Sequence, residues 1–293
     1  MDNLSKADLD AKEYTLFITN HCNSNCIMCP DSEKARRRPS TITLESLMEK
    51  IEYYPEDMNF LCITGGEPTL LRYDFLKILR RCRERFMYTD FLLLTNGRSF
   101  SDSQYVQQFK ASIPNLLLVG IPIYGATQEE HDEITLTEGS FNQTVKGIEN
   151  LLAMGVFVEI RVVIMKKNFQ KLEMISRFIV KHFPKAVRVN FMGLEIMGNA
   201  LQNKASVWVN YEESTINIKP AALNLISHGI DCQLYNFPLC HIEKSLWSLC
   251  RRSISKEKVR FSEECNLCRA KNMCGGFFAS TLSVIKPEVS AIL

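Results

Sequence analysis

Eleven cysteines set the chemistry open to this 293-residue chain. Three of them sit in one short stretch, Cys22-Asn-Ser-Asn-Cys26-Ile-Met-Cys29, spaced C-x3-C-x2-C. Three thiolates from one loop can hold three irons of a [4Fe–4S] cluster and leave the fourth iron open to a substrate or cofactor. A zinc ion borrowing a remote fourth ligand is the alternative. A second group, Cys240, Cys265-Asn-Leu-Cys268 and Cys274, supplies four cysteines around a C-x2-C core. Four such ligands close either an all-cysteine zinc site or a fully ligated iron–sulfur cluster. Cys250 stands as an alternate to Cys240. Cys62, Cys82 and Cys232 fall in apolar segments and read as small core residues.

Other residues add weaker signals. In Gly65-Gly66-Glu67-Pro68 the glycines let backbone approach a ligand closely, and Glu67 could accept bonds from an ammonium group; an ordinary turn has the same composition. Thr95-Asn96-Gly97 is at minimum an Asn-Gly turn. Arg161 lies in an otherwise apolar segment, where a guanidinium either wants a partner such as a carboxylate or points to solvent at a strand end. Arg36-Arg37-Arg38 could meet a peptide or RNA, although no aromatic residues interleave with it to favour nucleic acid. Arg80, Arg81, Arg83 and Arg85 read as a solvated helix face. His21 could tune the cysteine loop; His131, His228 and His241 show no ligand spacing.

The elements that would position these groups alternate in type. Strand-like runs are 14–19, 59–64, 88–95, 116–123, 157–165 and 187–192; helical patterns cover 43–51, 73–85, 102–109, 140–154 (with Ser140 as its cap) and 172–183. Six continuously apolar strands alternating with helices predict an α/β fold of parallel βα units. That is too few for a closed eight-fold barrel and leaves a partial (β/α)6 barrel or an open doubly wound sheet. The cysteine triplet and the Gly-Gly-Glu-Pro turn both follow strands, where α/β folds carry their sites. After Ala200 the pattern changes: a helix near 220–227 and a strand near 231–235 lead into a cysteine-rich tail. The expected organisation is an N-terminal lead at 1–13, a core at 14–205 and a metal-binding region at 206–293.

Composition is that of a globular protein, 46% apolar with 35 Lys+Arg against 33 Asp+Glu, so neither disorder nor a polyanionic partner is indicated. The start lacks an apolar signal region, and no apolar run approaches the roughly 18 residues of a membrane span. A reducing cytoplasm is expected, where clustered cysteines bind metal or do chemistry rather than form disulfides.

The triplet resembles the hallmark of the radical S-adenosylmethionine (radical SAM) superfamily. The resemblance implies a partial (β/α)6 TIM-type barrel. It implies that Cys22, Cys26 and Cys29 ligate a catalytic 4Fe-4S cluster whose open iron chelates S-adenosyl-L-methionine. Reductive cleavage would give a 5′-deoxyadenosyl radical that abstracts a hydrogen atom. By the same resemblance Gly65, Gly66, Glu67 and Pro68 bind the methionine amino group. Asn96 would lie near the ribose and Arg161 near the carboxylate. Gly198 and Asn199 match the last cofactor motif, beside the adenine. Met28 stands where the superfamily often has an aromatic residue, and its polarizable thioether suits adenine contact.

The tail is similar to the twitch/SPASM extensions of this superfamily, with Cys240, Cys265, Cys268 and Cys274 holding an auxiliary 4Fe-4S cluster ahead of zinc. Residues 235–240, Trp247, 252–255 and 264–280 resemble the His-Xaa-Ser system radical SAM maturases, C-type branch, as do 120–125 and 193–200. That family implies modification of a ribosomally made precursor peptide, a reductant such as flavodoxin or ferredoxin, and a possible companion maturase, with no membrane or nucleic acid partner. The rivals are a radical SAM enzyme acting on tRNA or a small molecule, and a zinc-stabilised binding or scaffold protein.

Overall fold

The computed structural model describes residues 12–36, 38 and 40–293. Most of the N-terminal lead, and Arg37 of the arginine run, lie outside the described residues. By internal contacts the chain divides into two compact units. The first comprises the described residues up to Asn23, Lys34–Ile121 and Asn142–Val158; the second comprises Ser24–Glu33, Pro122–Phe141 and Glu159–Leu293.

In chain order the elements are β1 (Glu13–Phe17), α1 (Glu33–Arg36), α2 (Leu44–Tyr53), β2 (Phe60–Thr64), α3 (Tyr73–Arg85), β3 (Asp90–Leu94), α4 (Ser103–Ser112), β4 (Leu117–Pro122), α5 (Gln128–Thr135), α6 (Ser140–Ala153), β5 (Phe157–Ile164), α7 (Leu172–His182) and β6 (Arg188–Gly193). Then follow α8 (Gly198–Gln202), α9 (Lys204–Val207), α10 (Tyr211–Thr215), α11 (Ile218–Ser227), β7 (Asp231–Tyr235), β8 (Cys250–Arg251), β9 (Val259–Arg260), β10 (Phe277–Phe278) and α12 (Ala279–Leu282).

In the first unit β1 pairs in parallel with β2, β2 with β3 and β3 with β4. Their alternate residues Leu16, Leu61, Ile63, Phe91, Leu93 and Val119 are almost fully buried, as are Phe75, Ile78, Leu79 and Cys82 of α3. These helix positions recur at three- and four-residue spacing and make one apolar stripe. Burial pushes the Cys82 thiol up to about 12, which makes it an inert core group. Thr43 caps α2 in a reciprocal box with Ser46. The α3 arginines are not simply solvated: Arg81 grips Glu52 of α2 through two nitrogens (2.6 and 2.9 Å), and Arg85 donates to the Glu52 and Tyr54 carbonyls.

In the second unit β5 pairs in parallel with β6, β6 with β7 and β7 with β8. The strand at 231–235, expected in the tail, therefore continues the parallel order, and a two-residue strand follows it. Neither β8 nor the short antiparallel pair β9–β10 was expected, because two residues carry no periodicity. Helix α5 was also missed. Its Asp132 takes the Ser140 hydroxyl (2.7 Å) and the Phe141 N–H (2.8 Å). Ser140 is thus the first residue of α6 rather than its cap, and Asp132 does the capping. Cys232 is fully buried as expected, whereas Cys62 is half-buried on the opposite face of β2 from Leu61 and Ile63. Among the described residues no helix is long and apolar enough to cross a membrane.

Candidate functional site

The cysteine loop runs from the end of β1 to α1, with Cys22 in the first unit and Cys26 and Cys29 in the second. All three thiols are half-buried and none is in a disulfide.

In the first unit, residues 18–23 are held by the turn after β2. Gly66 N–H donates to the Thr19 carbonyl (2.6 Å) and Glu67 N–H to the His21 carbonyl (2.7 Å). A Cβ on Gly66 would lie 2.2 Å from the His21 oxygen and 2.6 Å from the Asn20 oxygen. Only glycine allows that approach. The Glu67 side chain is fully buried. Its Oε1 accepts from the Thr69 N–H (3.1 Å), the Thr69 hydroxyl (2.6 Å) and the Thr95 hydroxyl (2.6 Å), and its Oε2 accepts from the Asn96 N–H (2.7 Å). Burial raises its pKa above the ordinary glutamate value, and the bonds from Thr69, Thr95 and Asn96 pull the other way. The carboxyl thus joins the turn after β2 to the turn after β3. Pro68 opens the helical turn 68–71 that Glu67 caps.

Asn96 Nδ2 donates to Asn23 Oδ1 (2.7 Å), and its Oδ1 accepts from Arg98 N–H (3.0 Å). Arg98 adds a bond from Nη1 to the Asn23 carbonyl and another from Nε to Gln143 (2.7 Å). Arg98, and the bond that Asn96 makes to the Asn23 side chain, escaped the sequence reading. The available signal was a cation directly after an Asn-Gly turn.

In the second unit, Gly198 and Asn199 clamp the rest of the loop. Gly198 has φ +53°, and a Cβ there would lie 2.1 Å from the Pro30 oxygen. Asn199 N–H donates to the Cys29 carbonyl (2.9 Å), its Nδ2 to the Cys26 carbonyl (3.0 Å), and its Oδ1 accepts from Glu33 N–H (3.0 Å). Asn203 Nδ2 donates to the Ile27 carbonyl (2.9 Å). Asn203 was missed, although asparagines four apart share a helix face. Met28 is 6% exposed and packs with Ile27, Tyr124, Met165 and Leu194. Arg161 has its partner inside the protein: Glu159 Oε1 accepts from it at 2.7 Å, and Glu159 Oε2 accepts from Asn190 (3.0 Å). Arg36 is buried, so the arginine run is not a continuous exposed strip.

The tail of the second unit brings Cys240, Cys265, Cys268 and Cys274 to one cavity. Cys274 Sγ accepts from the N–H groups of Leu239 (3.3 Å) and Gly276 (3.4 Å). The Ser290 N–H donates to Cys240. Burial pushes the Cys240 and Cys274 thiols up, and neighbouring thiols of the set add to it. Cys250 does not line the cavity. Its thiol, pushed to about 11 by burial, donates to the Leu246 carbonyl at 3.7 Å. Among the described residues no three His, Cys, Asp or Glu side chains are drawn together around a single metal ion.

A family profile, that of the Radical SAM superfamily, matches residues 16–179. The chain belongs to the radical SAM superfamily. Its C-x3-C-x2-C loop and the turn that grips it lie within the matched span. An AdoMet-dependent heme synthase of Oleidesulfovibrio alaskensis is 28% identical over 52% of this chain and 38% of its own length. The antilisterial bacteriocin subtilosin biosynthesis protein AlbA of Bacillus subtilis is 23% identical over 92% of this chain and 67% of its own. The mycofactocin maturase MftC of Mycobacterium tuberculosis is 30% identical over 54% of this chain and 39% of its own.

Two solved structures share the fold. Streptococcus suis SuiB has a TM-score of 0.59 at 15% identity, over 95% of this chain and 63% of that one. Native anSMEcpe with bound AdoMet and a Kp18Cys peptide has a TM-score of 0.60 at 16% identity, over 75% of this chain and 64% of that one. The α/β fold of the radical SAM partial-barrel type, expected from the sequence, is therefore present. The chain spans well under two thirds of the heme synthase and of MftC, and about two thirds of AlbA.

The residues fit the group this family carries. Three half-buried thiols stand on a loop whose backbone is bonded to Gly66, Glu67, Asn199 and Asn203. In the tail, four thiols line one cavity, and backbone N–H groups donate to two of the sulfurs.

Proposed function

We propose that this chain is a radical SAM enzyme that modifies a ribosomally made peptide. Cys22, Cys26 and Cys29 would hold a 4Fe-4S cluster, and Cys240, Cys265, Cys268 and Cys274 an auxiliary one. The cluster and S-adenosylmethionine would supply a 5′-deoxyadenosyl radical for hydrogen abstraction. The chain's own part is to hold the loop still: the turns after β2 and β3 grip 18–23, and α8 with Asn203 grips 26–30. Near-attack geometry is what such fixing secures. Since Glu67 spends its side chain on Thr69, Thr95 and Asn96, we assign recognition of the methionine amino group to backbone carbonyls of the turn. Arg161 would meet a carboxylate while keeping Glu159. Residues 14–205 would form the core and 206–293 the auxiliary region, in a cytoplasmic protein reduced by flavodoxin or ferredoxin.

The observation carrying the peptide reading is coverage. The heme synthase matches 52% of this chain, whereas AlbA matches 92%. That longer likeness supports a peptide substrate, and the His-Xaa-Ser maturase resemblance of the tail points the same way. The test is co-expression with candidate precursor peptides and mass spectrometry. A defined mass change that vanishes in the Cys22→Ala variant supports the reading. Unmodified peptides, with turnover of a tRNA or small molecule instead, would replace it.

A further inference from the structure

One face of the sheet in the second unit breaks the apolar pattern of its strands. The register of β5, β6 and β7 aligns Glu159 with Arg188 and Asp231, and Arg161 with Asn190 and Gln233. Side chains alternate along a strand, so these six share one face. On the other face Val158, Ile160, Val189, Phe191 and Leu234 are fully buried. Packing alone does not call for two rows of polar groups in a parallel sheet. The polar face also adjoins the cysteine loop. Val163, next on it after Arg161, packs against the core of Ile27, Met28 and Tyr124 that Cys26 also meets.

Most polar atoms of this face satisfy one another. Glu159 takes Arg161 and Asn190. Gln233 Oε1 accepts from Arg188 Nη1 (3.3 Å) and from the Tyr235 hydroxyl (3.1 Å), and its Nε2 donates to Asp231 (2.9 Å). Two guanidiniums stand against two carboxylates, with Arg188 Nε 4.0 Å from Glu159 and 3.8 Å from Asp231. A charged guest would therefore enter uncompensated.

Two atoms are left over. Asn190 is 0% exposed, and its Oδ1 has no hydrogen-bond partner among the described residues; nor has Arg188 Nε. Turning the Asn190 amide over gives no relief, because Oδ1 would then face the acceptor oxygen of Glu159. A buried acceptor left unmet is costly to keep. The side chains around it, Arg161, Arg188, Gln233 and Tyr235, are only half-buried. One unmet acceptor, one unmet donor and no net charge are the complement of an amide.

We infer that Asn190 is a specificity-determining residue: its Oδ1 accepts an amide N–H of the peptide substrate, and Arg188 Nε is the donor for a substrate carbonyl. This rests on the peptide reading above and narrows it. The part of the substrate that meets this face is uncharged and brings an amide, from its main chain or from an asparagine or glutamine side chain.

The test is equilibrium dialysis of the full chain, reconstituted anaerobically, against a blocked tripeptide, acetyl-alanyl-glutaminyl-alanine methylamide. One analogue carries esters in place of the backbone amides. The other carries a methyl ester in place of the side-chain amide. The analogue that lacks the recognised N–H should bind about tenfold or more weakly than the tripeptide, and which analogue does so identifies the source of the amide. In Asn190→Leu all three should bind alike. Asn190→Ala is the second variant if the leucine folds poorly. Equal retention of all three probes by the parent, or retention of none, would overturn the inference. So would discrimination that survives in a folded Asn190 variant. The peptide reading fails separately. Discrimination by a protein that modifies no precursor would sink that reading and leave Asn190 its amide. Modification of a precursor by a protein that binds all three probes alike would do the reverse.

Discussion

Replacing Gly66 by alanine is the sharpest perturbation of the loop that bears Cys22. The added Cβ would stand 2.2 Å from the His21 oxygen and 2.6 Å from the Asn20 oxygen. A carbon–oxygen contact relaxes near about 3.3 Å, so the backbone at 20–21 must retreat by about 1 Å. Both obstacles are backbone atoms, and no side chain can swing aside to relieve them. Overpacking of this kind costs about 1–3 kcal/mol, and the upper part of that range is expected here. The retreat also stretches the bonds from Gly66 N–H to Thr19 and from Glu67 N–H to His21. Cys22 is next in the chain, and a displacement of about 1 Å at a reacting centre lowers rates by about a hundredfold. The assay is 5′-deoxyadenosine formation from S-adenosylmethionine under reduction, read together with iron content and thermal unfolding. Gly275→Ala is the control, since its Cβ would meet ordinary contacts at 3.4 and 3.5 Å. If Gly66→Ala retained parental iron, melting temperature and rate, the reasoning that this turn sets the position of the cysteine loop would be wrong.

Three further outcomes are expected. Asn199→Ala removes donors and acceptors to Cys26 and Glu33, should cost about 1–3 kcal/mol, and should speed iron loss to a chelator; parental stability would contradict the clamp. Glu67→Gln should flatten a pH dependence. With its folded pKa raised above 4.5, the folded state binds the extra proton, so this group's contribution is fully present below pH 4.5 and is lost as pH rises through the folded pKa. Thermal melts across pH should show that fall in the parent and not in the variant. Cys240→Ala should lose about half of the iron while Cys250→Ala keeps it all; the reverse would exchange their roles.

Much of the fold was legible because its parallel strands read as apolar runs, Phe157–Ile164 among them. The short elements were not, since β8 and α8 to α10 are stabilised by tertiary contacts rather than by their own pattern. At the site, the cysteine spacing stood out because three thiols in eight residues rarely serve packing. The tasks of individual side chains were harder to read. Glu67 looked free to meet a ligand, yet burial gives it four internal donors. Arg161 looked in need of a cofactor carboxylate, yet Glu159, two residues earlier on the same strand face, was its partner and was visible in the sequence. Asn23, Arg98 and Asn203 act through backbone carbonyls brought close only by the fold, which no spacing in the chain reports.

The central claim is that the C-x3-C-x2-C loop carries radical chemistry. The most direct measurement is 5′-deoxyadenosine produced on reduction of the reconstituted protein with S-adenosylmethionine, compared with the Cys22→Ala/Cys26→Ala/Cys29→Ala variant. The account predicts product from the parent and none above background from the triple variant. Equal product from both, or a colourless parent containing zinc and yielding none, would contradict it.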